Sequence, residues 1–140
     1  MEDRYLSKAK RVDNGKWVEG YLIVDEKDYS KYFIGFVLGT NEDGTPHDLD
    51  VVQVDPSTIC HCTGLKDKNG KLIFENDICD RKEEYPEIVK YNNGDWTLDY
   101  SYSKGKESGD CYSNLGFYAL ERKYVEVIGN IFDNPELLEV

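Results

Sequence analysis

The sequence predicts a mainly β fold, and three observations carry that prediction. Eleven Tyr, two Trp and five Phe accompany few Ala and Leu, a balance that suits pleated, half-buried surfaces better than long helices. Apolar and alternating runs recur around Asn-Gly and other Gly-containing turn clusters, the signature of successive hairpins. A clear helix start is found only near the end, at Asn134-Pro135-Glu136. At 140 residues, 39% of them hydrophobic, the chain has the size of one domain with a continuous core. Within it, residues 1–62 read as N-terminal hairpins and 63–140 as a second subregion.

In chain order, residues 4–12 and 16–24 flank Asp13-Asn14-Gly15, whose Asn-Gly pair supplies the positive φ angles of a tight hairpin turn. Tyr32 to Leu38 and Asp48 to Val54 flank Asn41-Glu42-Asp43-Gly44 and predict a second hairpin. Asp55-Pro56-Ser57 breaks the pattern, because proline cannot donate to a ladder. Short strand pieces follow at Thr58 to Thr63, Leu72 to Phe74 and Asp77 to Cys79, with a turn at Asp67-Lys68-Asn69-Gly70. Ile88 to Tyr91 and Trp96 to Tyr102 surround Asn92-Asn93-Gly94-Asp95, a third hairpin with Trp96, Leu98 and Tyr100 on one face. Lys104 to Asp110 reads as a loop, and Asn114 to Arg122 fits one helical turn or a strand. Lys123 to Phe132 is a last strand offering Tyr124, Val125, Val127, Ile128 and Ile131 for burial. A short C-terminal helix then begins, with Asn134 as N-cap and Pro135 at the first helical position.

No apolar run approaches the roughly 18 residues of a membrane span, and Met1 to Lys8 holds no apolar signal core. The expectation is a cytoplasmic protein without a membrane role. Cys60, Cys62, Cys79 and Cys111 are too few and too unevenly placed for a disulfide scaffold. Thiols are expected. The 28 acidic residues outweigh the 17 basic ones, and the net charge of −11 repels nucleic-acid phosphates. Basic residues gather locally at Arg4, Lys8, Lys10, Arg11 and Lys16, as a solvated strand face or a small phosphate-contacting strip.

Three stretches carry a resemblance: Lys16 to Ile23 (KWVEGYLI), Thr63 to Ile78 (TGLKDKNGKLIFENDI) and Val125 to Leu138 (VEVIGNIFDNPELL). Their order and spacing resemble the YopX family of phage-encoded proteins. The resemblance implies a phage or prophage protein with an SH3-like β-barrel, and it implies no enzymatic activity and no cofactor. The residues bearing the family pattern are Thr63, Gly64, Leu65, Asp67, Gly70, Glu75, Asp77 and Ile78, then Val127, Ile128, Gly129, Asn130, Asn134 and Pro135. Asn76 stands where that pattern has glycine, and asparagine tolerates a left-handed backbone better than most residues. The residues themselves give this segment a structural reading. Asp67 to Gly70 reverses the chain, Leu72, Ile73 and Phe74 enter the core, and Glu75-Asn76-Asp77 turns a sharp corner.

Candidate chemistry is sparse. Cys60-His61-Cys62 is the densest cluster, but on a strand His61 points away from both cysteines. A zinc site there would need Cys79, Cys111 or His47 alongside. The acid pairs Asp48/Asp50, Glu75/Asp77 and Glu83/Glu84 are expected by chance in so acidic a chain. Asp67-x-Asn69-Gly70 lacks the remaining ligands of a calcium loop. Nucleophile elbows, zinc-protease motifs and phosphate loops are missing. Trp96 to Tyr102, with Tyr112, Phe117 and Tyr118, offers aromatics for base stacking, but this acidic half lacks the cationic groove that stacking proteins add. The leading expectation is a non-enzymatic module that binds a host or phage protein and forms a homo-oligomer. A nucleic-acid-binding small barrel, an acidic decoy of a host factor and a thiol or metal enzyme are the alternatives.

Overall fold

The computed structural model describes residues 3–83, 85–104 and 112–139. It divides into two compact units, Tyr5–His61 and Cys62–Val140, the latter with Glu2–Arg4. Most of the loop expected over 104–110, together with Cys111 and Glu84, lies outside the described residues.

In the first unit, β1 (Ser7–Lys10), β2 (Trp17–Val24), β3 (Tyr32–Thr40) and β4 (Pro46–Val54) are joined by the start of β5 (Cys60–Lys66). All pairings are antiparallel, in the order β4-β3-β2-β1-β5. Register explains the core. Leu22 lies opposite Ile34 and Ile34 opposite Val52, while Tyr32 meets Val54 and Ala9 meets Val18. Ala9, Ile34, Val52 and Val54 are buried, and the others pack against them. The β3–β4 turn contains Gly44 at φ +87°, as expected. The β1–β2 connection departs from the tight turn predicted for Asn14-Gly15. Pairing closes at Lys10 and Trp17, and only Gly15 takes a positive φ, of 70°. The Asn14 side chain accepts the Lys16 N–H at 2.9 Å, holding a wider loop.

In the second unit β5 continues to Lys66 and pairs with β6 (Leu72–Phe74). Then follow β7 (Asp77–Asp80), β8 (Glu87–Asn92), β9 (Asp95–Asp99), a helical turn α1 (Ser101–Lys104), β10 (Tyr112–Asn114) and β11 (Glu126–Asn130). A five-stranded antiparallel sheet runs β10-β9-β8-β7-β11. Asn93 and Gly94 take φ of 51° and 86°, positive at both central positions of the β8–β9 hairpin, as its sequence demands. Residues 114–122 combine both readings: β10 ends at Asn114, and a π-helical turn spans Phe117–Glu121. Leu115 and Ala119 from this region are buried with Ile73, Cys79, Val89, Leu98 and Val125.

Two expectations are corrected. Among the described residues the second sheet is open, with β10 and β11 as its edges, and no closed SH3-like barrel forms. The edge strands β10 and β11 do not pair with one another, and Leu115 and Ala119, from the segment between them, are buried in the core. The C-terminal helix is only a single 3-10 turn, Pro135–Leu138, and Asn134 makes no side-chain cap bond. Its Oδ1 is occupied, accepting the Asn130 N–H at 3.2 Å.

Asn76 does sit in the left-handed region, at φ +69°. Its N–H donates to Val89 O at 2.9 Å and its carbonyl accepts the Ile131 N–H at 3.1 Å, so the corner is fixed from both sides. Replacing Asn76 by Val is expected to lower stability by about 1–3 kcal/mol, because a β-branched residue strains at positive φ. Asn76→Gly is expected to change it by less than about 1 kcal/mol. Urea unfolding of both variants checks the contrast.

Candidate functional site

The family-pattern residues come together, but as a framework. Asp67 is buried at the β5–β6 turn. Its Oδ1 accepts the N–H groups of Asn69 and Lys71, both at 2.9 Å, and its Oδ2 accepts that of Val127 on β11 at 3.0 Å. The Lys68 N–H donates to Val125 O at 2.8 Å, which doubles the tie. Burial pushes the Asp67 carboxyl up, and the three N–H donors outweigh it, holding the group below the usual aspartate range. Thr63 Oγ1 donates to Ile73 O at 2.8 Å and accepts the Leu65 N–H at 3.1 Å. Asp77 accepts the Phe74 N–H at 2.8 Å across the Glu75-Asn76 corner. Gly64 and Gly70 hold φ of 81° and 83°, and Ile78 is fully buried.

At the other end, Asn130 Oδ1 accepts the N–H groups of Phe132 and Asp133. Gly129 leaves room for Asn134, since a Cβ there would fall 2.6 Å from Asn134 Oδ1. Pro135 opens the 3-10 turn. A register shift between Val127 and Gly129 turns Ile128 outward, 39% exposed, against the burial expected from its sequence. Tyr124 is likewise exposed.

The Cys-His-Cys strand alternates as expected: Cys60 and Cys62 are buried and His61 is exposed. His61 Nδ1 lies 3.1 Å from Ser7 Oγ. Cys60, Cys62 and Cys79 are thiols, and burial, followed by the charges of Asp77, Asp67 and Glu87, pushes the Cys79 thiol well above its ordinary value. Among the described residues no three His, Cys, Asp or Glu side chains converge on a common metal position. In the basic strip, the ammonium groups of Lys8 and Lys10 lie over the Trp17 ring, 4.9 and 5.4 Å from its centre, and Arg11 pairs with Asp13 at 2.8 Å.

Two surfaces take shape only in the structure, although Phe117 and Tyr118 of the second already stood out in the sequence as stacking aromatics. The first is the outer face of β2-β3-β4. Tyr21, Gly35 and Val51 form one cross-strand row, Ile23, Phe33 and Gln53 the next, and Val37 with Leu49 a third. Tyr21, Ile23, Val37, Leu49 and Val51 are 43–62% exposed. The signal was present: YLIV and YFIGFVL are unbroken apolar runs, which mark strands apolar on both faces. The acidic turn residues Glu42 and Asp43 lie at the β3–β4 end of this face.

The second is an aromatic cup of about 320 Å³ lined by Phe117, Tyr118, Arg122 and Tyr124. Arg81 backs it, its guanidinium 4.3 Å from the Tyr118 ring centre. Arg81 Nε donates to Glu87 Oε1 at 2.5 Å, and its other nitrogens reach Glu83 and Ser113. Glu87 Oε2 is buried and has no hydrogen-bond partner among the described residues. Burial therefore raises the Glu87 carboxyl above the ordinary glutamate value, although Arg81 pulls it down.

Asp67→Asn is expected to cost at least about 2 kcal/mol, since an amide satisfies the three donors less well than a carboxylate. It also flattens the acid limb of the stability curve. The depressed Asp67 group contributes stability that is present above the unfolded aspartate value near 3.8 and is lost as pH falls below it. Glu87 has the opposite sign: raised in the fold, it favours the native state most below about pH 4.5 and progressively less as pH rises through its folded value. Thermal melts of wild type, Asp67→Asn and Glu87→Gln between pH 3 and 8 check both signs.

No curated protein matches the sequence. The family model described as YopX protein matches residues 8–139, nearly the whole chain, and the chain belongs to the YopX family.

Proposed function

We propose that this chain is a phage-associated accessory protein that acts by binding another protein, without catalysis, in the cytoplasm of the bacterial host. Membership of the YopX family supports the phage association. The observation that carries the binding role is the outer face of β2-β3-β4, where five large apolar side chains stand exposed in adjacent rows. Contiguous apolar surface of this kind marks an interaction site, whereas single exposed residues do not.

Charge selects the occupant. Glu42 and Asp43 stand in the β3–β4 turn that ends this face, and the whole chain carries −11. A partner presenting apolar residues flanked by Lys or Arg is complementary, while a second copy brings the same acidic rim and the same net charge. Homo-oligomerisation through this face is therefore the weaker reading. Nucleic-acid binding through Lys8, Lys10 and Arg11 is also weaker, because the net charge of −11 repels a polyanionic strand.

A Val37→Ser/Leu49→Ser variant tests the proposal. Both sites are more than half exposed, so stability should change by no more than about 0.5 kcal/mol per site. In tagged capture from infected host cells, wild type is expected to retain a basic protein through nuclease treatment and the variant to lose it. Capture unchanged by the substitutions, or abolished by nuclease, overturns the assignment. Light scattering that shows a dimer in wild type and a monomer in the variant reassigns the face to self-association.

A further inference from the structure

The aromatic cup has a chemistry distinct from the apolar sheet face. The π-helical turn Phe117–Glu121 places Phe117 and Tyr118 side by side, their rings edge to face at 5.0 Å. Such turns recur at functional positions because they re-aim side chains. Lys123 then takes a left-handed φ of 53° and reverses the chain. Two backbone bonds close the reversal, Arg122 N–H to Phe117 O at 3.2 Å and Tyr124 N–H to Tyr118 O at 3.0 Å. Together they bring Tyr124, 55% exposed, and Arg122 to the same 320 Å³ depression as Phe117, 39% exposed.

Each ring of the first pair carries a guanidinium. Arg81 is held over Tyr118 by its bonds to Glu87, Glu83 and Ser113. Arg122 lies over Phe117 at 5.3 Å, and its backbone, not its side chain, is what the reversal fixes. The cup thus combines exposed aromatic surface for a planar ring with an accessible planar fork of donors suited to phosphate. These cations are far from the aromatics in sequence or follow them by a few residues, which is why the acidic composition of this half conceals them.

We propose that this cup binds a mononucleotide, its base stacked on Phe117 and Tyr124 and its phosphate held by Arg122. The volume stands at the lower end of the range for small-molecule pockets and suits one nucleotide. Stacking on an aromatic side chain is worth about 1–3 kcal/mol per base. The net charge of −11 favours a free nucleotide over a polyanionic strand, which the protein repels along its length.

Equilibrium dialysis of the purified full chain against AMP, GMP, UMP, adenosine, ribose 5-phosphate and a ten-residue single-stranded oligoadenylate tests the proposal. AMP is expected to bind saturably, adenosine about tenfold more weakly, and ribose 5-phosphate more weakly still. Arg122→Gln should lower AMP affinity about tenfold and leave adenosine unchanged, while Phe117→Leu or the more exposed Tyr124→Leu lowers both. The Val37→Ser/Leu49→Ser variant should bind AMP as wild type does, which separates this site from the protein-binding face. Absence of saturable binding by AMP, GMP and UMP overturns the proposal, as does AMP binding indifferent to Arg122→Gln and to both aromatic variants. Oligoadenylate binding more than tenfold tighter than AMP replaces the free nucleotide with a strand end.

Discussion

A carboxylate enclosed by backbone N–H groups is the constraint on which the second unit depends. Asp67 is contributed by a tight turn and reaches a strand 60 residues later through Val127. Local turn and long-range tie share one side chain, so neither forms fully without the other. The carboxylate is affordable in the interior because its charge is distributed over three donors. Thr63, Asp77, Asn130 and Asn134 repeat the device: each bonds main chain through a side-chain oxygen. A fold with short, bent strands satisfies its backbone this way where a ladder cannot.

The polar residues of the family pattern are thus absorbed by architecture, and the surfaces with binding character lie elsewhere. One is apolar and rimmed by acid, the other aromatic and cationic. Both arise from strict geometry: cross-strand rows set the first, and a π-helical turn closed by two backbone bonds sets the second. The buried Arg81–Glu87 pair supports the cup from behind, with Arg81 fixed over Tyr118 while one Glu87 oxygen stays without a donor among the described residues.

Much of the fold was legible because local signals coincide with local causes. Asn93-Gly94 and Asn76 adopt the positive φ angles that their side chains permit, and the alternating runs become paired strands. The Asn14-Gly15 turn misled because pairing stops earlier, at Lys10 and Trp17, so the loop is too wide for a two-residue turn. Asn134 has the residue type of a helix cap, but Gly129 clears a place for it against β11 and the side chain turns back there. The closed barrel was an expectation of resemblance, whereas the edge strands β10 and β11 do not pair and Leu115 and Ala119 between them are buried in the core. Of the cup, the aromatics Phe117 and Tyr118 were legible and the cations were not: Arg122 joins them through the reversal at Lys123, and Arg81 approaches Tyr118 from 37 positions away in sequence.

The position of β4 at the margin of its sheet constrains recognition itself. Its outer margin begins at Pro46, which has no N–H to offer, and ends where Val54 bridges Arg11 and Gln53 O accepts the Val12 N–H at 3.1 Å. An incoming chain that tried to lengthen the sheet would find this margin short of a donor at its start and occupied at its end. Approach from above meets Tyr21, Val37, Leu49 and Val51 instead. That margin favours visitors that lie across the strands over those that would run alongside them.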